Sequence, residues 1–464
     1  MNELVNAGRL RELSWGCATW RTLATADNRE NGSFRPGRWV DDIREVVGAP
    51  VLSRRVSLGW PEIQPDGPGS WDAAALSRCD RALDELLERG FKPCVNLSHM
   101  DLPAWLDDQQ GWLVRDSVFR FADYAAEIGR RFGDRVERWV TINDIAAPTL
   151  ADRVAGMFDV TRGRGRSGLV TVHHALLAHA LAREALRAAG AHGPAGLTTS
   201  LVVGYPATDD PWDRLAAERL ELWGNGIFLD PLLLGRHMVS DEGECPVEQT
   251  GCVRPGDLEA IAARQDFVGL SWHAPHCVTA TENLPGMAEK LEPFHALAEL
   301  NRLLARLDFA MVPFPDVEST SYGWSIVPEA LADGLAALDG MYGDLLPPLY
   351  ITDHGLQDQE ILGPDGAPDA ARRRSLLAAK LSWLARSMES GMDIKGYEYW
   401  SVFDNLDFKQ RYSRLYSVAD GGGGVHPRPE VPESWPRRFE AVGRRCPKGF
   451  ALDVSPAVSD RLPA

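Results

Sequence analysis

The chain is poor in cysteine, and its cysteines show none of the spacings that mark a metal or redox site. The seven cysteines include no C-x-x-C pair, and their odd number does not suit a disulfide framework. A zinc ribbon and a small disulfide-stapled fold are therefore excluded. Cys245 and Cys252 flank a polar loop and could form one bridge, but we expect free thiols in a reducing cytosol.

Long apolar runs and an excess of basic residues are also missing. No stretch approaches the length of a membrane span, and the N-terminal segment MNELVNAGRLRELSWG lacks the basic start and apolar region of a signal peptide. The 66 acidic residues outnumber the 49 basic ones and leave a formal net charge of −17. Such a charge excludes nucleic acid and anionic membranes as expected partners. We therefore expect a soluble cytoplasmic protein, whose oligomeric state the sequence leaves open.

The length of the chain is compatible with more than one architecture. Its 464 residues, 44% hydrophobic and 25% charged, suit a globular protein with a sizeable core. Two or three domains, or one large α/β barrel, have this length. No internal repeat or linker divides the chain, so we predict a single domain over residues 1–464.

Short β-rich runs alternate with amphipathic helical segments along most of the chain. Eight runs are apolar at nearly every position, as parallel strands covered on both faces are: ELSWGCATW, VLSRRVSLGW, FKPCVNLSH, RVERWVTIND, PAGLTTSLVV, DFVGLSWHA, PLYITDHG and IKGYEYWSVFD. Such strands fit an open doubly wound sheet or a closed (β/α)8 barrel. The strand number, and the lack of a G-x-G-x-x-G turn after the first strand, favour an α/β fold of the (β/α)8 TIM barrel type. Long βα-loop insertions are expected at 205–260 and 274–325.

Polar residues gather where three predicted strands end, at Asn143-Asp144, at 271–273 and at Asp353-His354. Barrel active sites are built from such C-terminal strand ends. Two carboxylates on a barrel rim can cleave or rearrange a glycosidic acetal, because one protonates the leaving oxygen while the other stabilises or captures the oxocarbenium centre. Asp144 and Asp353 are therefore candidate catalytic residues. The alternative is that both only cap loops or helices.

Seven further segments are diagnostic when taken together and in this order: RRVSLGWPEIQPDG, LLERGFKPCVNLSHMDLPAWL, GWLVRDSVFRFADYAAEIGRRFGDRVERWVTIN, HHALLAHALA, NGIFLDPLLLG, YGWSIVPEAL and GYEYWSVFDNLDF. With them the chain resembles glycoside hydrolase family 1, the retaining β-glucosidase-like enzymes, from SWGCATW near residue 14 to RYSRLYSVAD near residue 420. The resemblance implies a (β/α)8 barrel and carbohydrate chemistry without a metal.

The resemblance also implies roles for individual positions, and both catalytic positions depart from the family pattern. The acid/base Glu of an Asn-Glu-Pro motif corresponds to Asp144, and the nucleophile Glu of Ile-Thr-Glu-Asn-Gly corresponds to Asp353. Substrate-binding positions that the chain retains are Arg55, His99, Asn143 and Trp400. Substrate-binding positions that it changes are Trp272, His273, His354, Asp407 and Phe408, together with Leu23 in place of a Gln and Met100 in place of a Trp.

Exchanging both glutamates for aspartate changes the expected geometry. Each exchange shortens the side chain by one C–C bond, ~1.5 Å. On an unchanged backbone the gap between the carboxyl groups widens by up to ~3 Å, from the 5–5.5 Å of a retaining pair towards the roughly 6.5–9.5 Å of an inverting pair. Leu23, Met100 and Phe408 make the pocket more apolar, so we expect an atypical, relatively apolar glycoside rather than plain glucose.

The histidines beside the catalytic positions have several interpretations. His273 and His354 are placed to carry protons near neutral pH, or each only fills a hydrogen-bonding position. A metal site of His99, His273, His354 and Asp353 is conceivable because all lie at strand ends. No pair of them has H-x-x-x-H spacing, however, and we expect neither a metal nor a cofactor.

Three functions are compatible with these observations. The first is a glycosidase-like enzyme that acts on a glycosidic or related acetal bond through Asp144 and Asp353. The second is a non-hydrolytic enzyme of specialised metabolism, namely a transglycosidase, a cyclase or an eliminating enzyme. The third is a non-catalytic pseudoglycosidase that binds a ligand. The carboxylate kept at both positions argues against the third, and in each case the partner is a small-molecule glycoside or acetal.

Overall fold

A computed structural model describes residues 7–24, 38–99, 102–144, 165–240, 243–287, 295–320, 324–355, 361 and 369–400. In chain order its strands are β1 (Ser14–Thr22), β2 (Ser53–Ser57), β3 (Lys92–Ser98), β4 (Arg138–Ile142), β5 (Ala195–Ser200), β6 (Gly204–Pro206), β7 (Val268–Ser271), β8 (His276–Thr279), β9 (Ala310–Val312), β10 (Leu349–Thr352) and β11 (Ile394–Tyr399).

Eight of these strands close into a parallel barrel, in the order β1, β11, β10, β7, β5, β4, β3, β2. Seven barrel strands lie within predicted runs, and β1 starts in the first run and continues beyond it to Thr22, so the predicted (β/α)8 barrel is confirmed. Most described residues of these strands are buried, and they include polar residues such as Arg54 and Arg55 on β2.

The remaining strands form a small separate sheet that the sequence analysis did not predict. β8 pairs in parallel with β6 and antiparallel with β9. These strands have only three or four residues each and fall in or beside the two segments interpreted as loop insertions. Runs this short carry too few residues for a period-2 pattern to be recognised.

Helices cover the outside of the barrel. The longer ones are Arg38–Val47, Ala73–Glu88, Asp116–Phe132, Gly165–Ala188, Pro211–Glu221, His295–Leu304, Ala330–Tyr342 and Ala370–Glu389. Shorter α-helical segments are Ala7–Leu10, Trp60–Ile63, Ala104–Asp107, Ile227–Leu229 and Asp257–Ile261. Two π-helical turns, Leu222–Gly226 and Asp230–Leu234, flank the segment Ile227–Leu229. Single 3-10 turns are Gly111–Leu113, Glu248–Thr250, Thr281–Met287, Ala305–Leu307 and Gly343–Leu345.

Aspartate side chains define where three of these helices begin. Asp72 accepts a hydrogen bond from the backbone N–H of Ala75, and Asp369 accepts one from Arg372. Asp210 does the same for the helix that starts at Pro211. Each cap satisfies a backbone donor that the first helical turn leaves without a partner.

An aromatic cluster supports the C-terminal end of β2. Trp60 follows this strand and is fully buried, with its ring centroid 5.2 Å from that of Phe121 and 5.1 Å from that of Tyr124 on helix Asp116–Phe132.

On the other side of the barrel, Gly196 lets β5 approach β7, because a Cβ there would lie 2.4 Å from the carbonyl oxygen of Phe267. The Trp60 contacts thus lie at the C-terminal end of β2, whereas Gly196 determines how closely the start of β5 packs against β7.

The six described cysteines are all free, Cys245 and Cys252 included. Within the described ranges, no helix combines the length and the apolar character that crossing a membrane requires.

Buried histidines make the stability of this fold depend on pH. Burial lowers the pKa of His179 to about 3 and that of His237 to about 4, so both stay neutral in the folded chain at pH 5. In the unfolded chain these rings are protonated below about 6.5, so the unfolded state binds more protons between pH 4 and 6.5. We expect the free energy of unfolding to fall from pH 6.5 to pH 4 and to be independent of these rings above pH 6.5.

Urea unfolding followed by tryptophan fluorescence at pH 7 and pH 5 measures this difference. One ring whose pKa is lowered to about 4 contributes at most ~3 kcal/mol over the full range. A His179→Gln variant should show a smaller loss between the two pH values. Equal stability of the unaltered chain at pH 7 and pH 5 would contradict the account.

Candidate active site

The two candidate carboxylates lie at the C-terminal end of the barrel, directly beyond β4 and β10. Asp144 is 7% exposed and Asp353 is 6% exposed. They are therefore largely withdrawn from water at the mouth of the barrel, where enzymes of this architecture place their catalytic groups.

Both aspartates have a left-handed backbone, with φ of 47° at Asp144 and 54° at Asp353. This conformation costs roughly 1–2 kcal/mol for a residue with a side chain, and aspartate tolerates it better than most. At Asp353 it also changes where the side chain points. The Ser271 hydroxyl lies 3.3 Å from Oγ1 of Thr352 and donates to Oδ2 of Asp353 at 3.1 Å. Successive residues of a regular strand would face opposite sides, so the turn at Asp353 brings both into the barrel mouth.

A single guanidinium connects the ends of β4 and β10. Arg55 on β2 is 1% exposed. Its Nη2 donates to Oδ1 of Asp353, and its Nη1 donates to Oδ1 of Asn143, the residue before Asp144. The two candidate motifs therefore share one cation and form a single site.

Hydroxyl groups from β5 hold the Asp144 side of this site. The backbone N–H of Asp144 donates to Oγ1 of Thr198 at 2.6 Å, and Thr198 donates to Oδ1 of Asn143 at 2.9 Å. Ser200 donates to Oδ1 of Asp144 at 2.7 Å. Ser200 and Ser271 are register partners on β5 and β7, so neighbouring hydroxyls hold the two carboxylates.

Arg55 determines the charge state of its neighbours. Burial raises the pKa of the Asp353 carboxyl, but the adjacent Arg55 guanidinium more than offsets this and holds that pKa below its usual range. Burial and the charge of Arg55 lower the pKa of His99 to about 4, and Nδ1 of His99 lies 3.3 Å from Oγ of Ser57. At neutral pH Asp353 is therefore ionised and His99 is neutral.

His273 lies between two tryptophans at the mouth of the barrel. Its ring centroid is 5.3 Å from that of Trp324 and 5.4 Å from that of Trp400. Burial lowers its pKa, so the ring is neutral at pH 7. Trp400 is partly exposed, as an aromatic platform for a ligand must be.

Comparisons with known proteins identify the family of the chain. Residues 21–419 match the sequence profile of glycosyl hydrolase family 1. The chain belongs to this family.

Similar proteins include two bacterial β-glucosidases. Beta-glucosidase A of Thermotoga maritima is 28% identical over 418 residues, 87% of this chain and 86% of that protein. Thermostable beta-glucosidase B of Thermobispora bispora is 34% identical over 384 residues, 81% of this chain and 74% of that protein. The solved psychrophilic beta-glucosidase of Micrococcus antarcticus has a TM-score of 0.70 at 26% identity, with 90% of this chain and 93% of that chain covered.

For this member of glycosyl hydrolase family 1, the structure brings most of the predicted site residues together. Arg55, Asn143, Asp144 and Asp353 are linked by hydrogen bonds, and His99, His273 and Trp400 lie close to them. Asp407, Phe408 and Met100 lie outside the described residues. Leu23 is buried beyond β1.

Two predicted substrate-binding residues are not brought to the mouth of the barrel. Trp272 is buried in the apolar core, because it alternates with Ser271 and so faces the helices. His354 is 1% exposed, and its Nδ1 lies 2.9 Å from the hydroxyl of Tyr397. That contact supports the alternative in which His354 fills a hydrogen-bonding position.

The structure does not support the metal site considered for His99, His273, His354 and Asp353, because no three metal-ligating side chains of the described residues converge.

Sequence reasoning missed several residues that support the site. Thr198, Ser200 and Ser271 orient the carboxylates through their hydroxyls, and Glu398 and Arg138 lie beneath Arg55. The signal that could have found the hydroxyl groups is their period-2 position near the ends of predicted strands. Nothing in the pattern IKGYEYW indicates that Glu398 faces an arginine.

Removing the shared cation should destabilise the protein strongly. An Arg55→Met variant leaves Asp353 and Glu398 as buried carboxylates without this partner. We expect a loss of about 3–5 kcal/mol in the free energy of unfolding, as for other buried ion pairs broken on one side. Urea unfolding at pH 7 measures it.

The matched control is Arg120→Met, which removes an exposed arginine from surface ion pairs with Asp116 and Asp123. That change should cost less than about 1 kcal/mol. An equally small loss for Arg55→Met would show that the buried cation does not hold the site together.

Proposed function

We propose that this protein is a glycosidase that acts on a glycosidic or related acetal bond through Asp144 and Asp353, on a relatively apolar glycoside. The observation that carries the proposal is the guanidinium of Arg55, which joins Asp353 to the residue next to Asp144 at one barrel mouth. Paired carboxylates at such a mouth are the equipment of glycoside cleavage.

The surroundings of the two carboxylates support a division of roles. Arg55 keeps Asp353 ionised, which suits a group that stabilises an oxocarbenium-like centre or takes a proton from water. Asp144 accepts from the neutral hydroxyl of Ser200 and stands at the acid/base position of the family motif. In the proposed reaction Asp144 protonates the leaving oxygen while Asp353 acts on the opposite face.

The short side chains favour attack by water over attack by the carboxylate. Relative to a pair of glutamates on the same backbone, the aspartates leave up to ~3 Å more space between their carboxyl groups. A water molecule fits such a gap, with Asp353 as the base. Another hydroxyl in the same place would lead to transfer instead of hydrolysis, which is the non-hydrolytic alternative.

The lining of the barrel mouth supports a ligand with fewer hydroxyl groups than glucose. Leu23 lies where the family pattern has a glutamine, and His273 is neutral and sits between Trp324 and Trp400. Apolar and aromatic surfaces bind deoxygenated or alkylated sugars better than they bind a fully hydroxylated ring.

Replacing either aspartate by asparagine should abolish turnover of an aryl β-glycoside. Asp144→Asn removes the proton donor and Asp353→Asn removes the negative charge, so each kcat/KM should fall by at least about 100-fold. The control is Asp308→Asn, an exposed aspartate with the same left-handed backbone, which should keep full activity.

Other outcomes of this assay point to the other functions. No turnover of any aryl glycoside, with no gain when both aspartates are changed to glutamate, would contradict hydrolysis. A transferred or cyclised product would identify the non-hydrolytic enzyme. Ligand binding that neither asparagine variant changes would identify a pseudoglycosidase.

The first sugar released should have the inverted anomeric configuration. An ionised Asp353 that activates water across a widened gap delivers the hydroxyl to the face opposite the leaving group. Proton NMR of the reaction in its first minutes distinguishes the α-anomer from the β-anomer. Release of the β-anomer from a β-glycoside would refute the water-filled gap and leave the cleavage itself intact.

A further inference from the structure

A third carboxylate lies inside the barrel and has no part in the proposed reaction. Glu398 on β11 is 0% exposed, so it cannot touch a ligand. A charge at this depth is costly unless it is paired, and an apolar side chain would fill the same space without that cost. The charge of Glu398 therefore acts on the neighbouring side chains and not on a ligand.

Glu398 lies between two buried arginines from different strands. Its Oε1 accepts a hydrogen bond from Nη2 of Arg138 on β4, and its Oε2 lies 2.7 Å from Nε of Arg55 on β2. Below them, the Arg138 guanidinium lies over the Tyr350 ring, 3.9 Å from the centroid. These side chains thus form a column that leads to Asp353, in the order Tyr350, Arg138, Glu398 and Arg55.

Glu398 restricts how Arg55 can meet its other partners. With Nε beside Glu398, the guanidinium offers Nη2 to Asp353 and Nη1 to Asn143. An arginine without this carboxylate beside its Nε could turn its planar fork and bind Asp353 with two N–H groups. The observed arrangement leaves Oδ2 of Asp353 to the Ser271 hydroxyl.

We propose that Glu398 is a positioning residue, held by Arg138, that fixes the Arg55 guanidinium so that it serves Asp353 and Asn143 at once. Its negative charge also limits how strongly Arg55 stabilises the ionised form of Asp353, which keeps Asp353 basic enough to act on water. The inference depends on the proposed function only in treating Asp353 as a working carboxylate.

The groups that face these two carboxylates are known from the structure. Asp353 is faced by Arg55 from β2, by His99 beyond β3 and by His273 beyond β7. Glu398 is faced by Arg55 and Arg138 and by the thiols of Cys17 and Cys94. Burial raises the pKa of both thiols, so the arginines are the charged partners at neutral pH.

The test is a Glu398→Gln variant, which removes the charge and keeps the shape. Arg55 then has only Asp353 as a charged partner, so the pKa of Asp353 should fall by ~1 unit. Carbon-13 NMR of protein labelled at the aspartate carboxyl carbon measures this titration, with the resonance assigned by its loss in Asp353→Asn. On an aryl β-glycoside, the acid limb of kcat/KM should move down equally, and kcat should fall roughly 10-fold with KM nearly unchanged.

The matched control is Glu221→Gln, another buried glutamate, whose carboxylate accepts a hydrogen bond from the backbone N–H of Gly204 and not from either arginine of the column. It should leave the titration of Asp353 and the acid limb unchanged. A folded Glu398→Gln variant that titrates like the unaltered chain would overturn the proposal. A variant that loses only stability, with an unchanged pH profile, would overturn it too.

A second variant covers the case in which Glu398→Gln does not fold. Replacing Glu398 and Arg138 together by methionine removes one charge of each sign, which buried ion pairs tolerate. The acid limb and the Asp353 titration should again move to lower pH, by less than in the single variant, and unchanged values would refute the proposal. If the unaltered chain turns over no glycoside, the proposed function fails, and the NMR titration still decides the role of Glu398.

Discussion

The guanidinium of Arg55 is the interaction on which the candidate site depends. It is buried, it cannot lose its proton at any ordinary pH, and it therefore requires anionic or amide acceptors around it. Asn143 and Asp353 accept its hydrogen bonds and Glu398 forms an ion pair with it, and these three residues stand on or directly beyond β4, β10 and β11. One cation on β2 thus ties together four strands of the barrel and holds the Asp144 and Asp353 motifs at one distance from each other.

The interior of the barrel changes in character along its axis. Towards the N-terminal ends of the strands it is filled by Cys94, Val140 and Phe267, with Tyr350 packed against them. Above this layer lie the ion pairs that connect Arg138, Glu398, Arg55 and Asp353, followed by the hydroxyl groups beside the two aspartates. This order lets the barrel bury an apolar layer for stability, and the left-handed backbone at both aspartates adds local strain at the barrel mouth.

Sequence reasoning reached the architecture because eight strand-like runs alternate with amphipathic helical segments, although several barrel strands carry buried charges such as Arg55 and Arg138. It reached Asp144 and Asp353 because C-terminal strand ends are where polar residues of a barrel gather. It did not reach the partners of those residues, since contacts such as Glu398 with Arg138 join positions 260 residues apart through the closure of the barrel. The pairing of the short strands β6, β8 and β9 was not predictable for the same reason, because it depends on neighbours distant in the chain and not on a local pattern. Nor could sequence reasoning tell that His354 pairs with Tyr397, because the backbone turn at Asp353 decides which way the next side chain points. Trp272 faces the core because it alternates with Ser271 along the chain.

The central claim is that Arg55 joins the Asp144 and Asp353 motifs into one site. It is tested most directly by a crystal structure with a protonated iminosugar, whose cationic nitrogen imitates an oxocarbenium centre. The account predicts that this nitrogen lies between Asp144 and Asp353 while Arg55 still contacts Asp353 and Asn143. An iminosugar bound away from either aspartate, or an Arg55 that contacts neither residue, would contradict it.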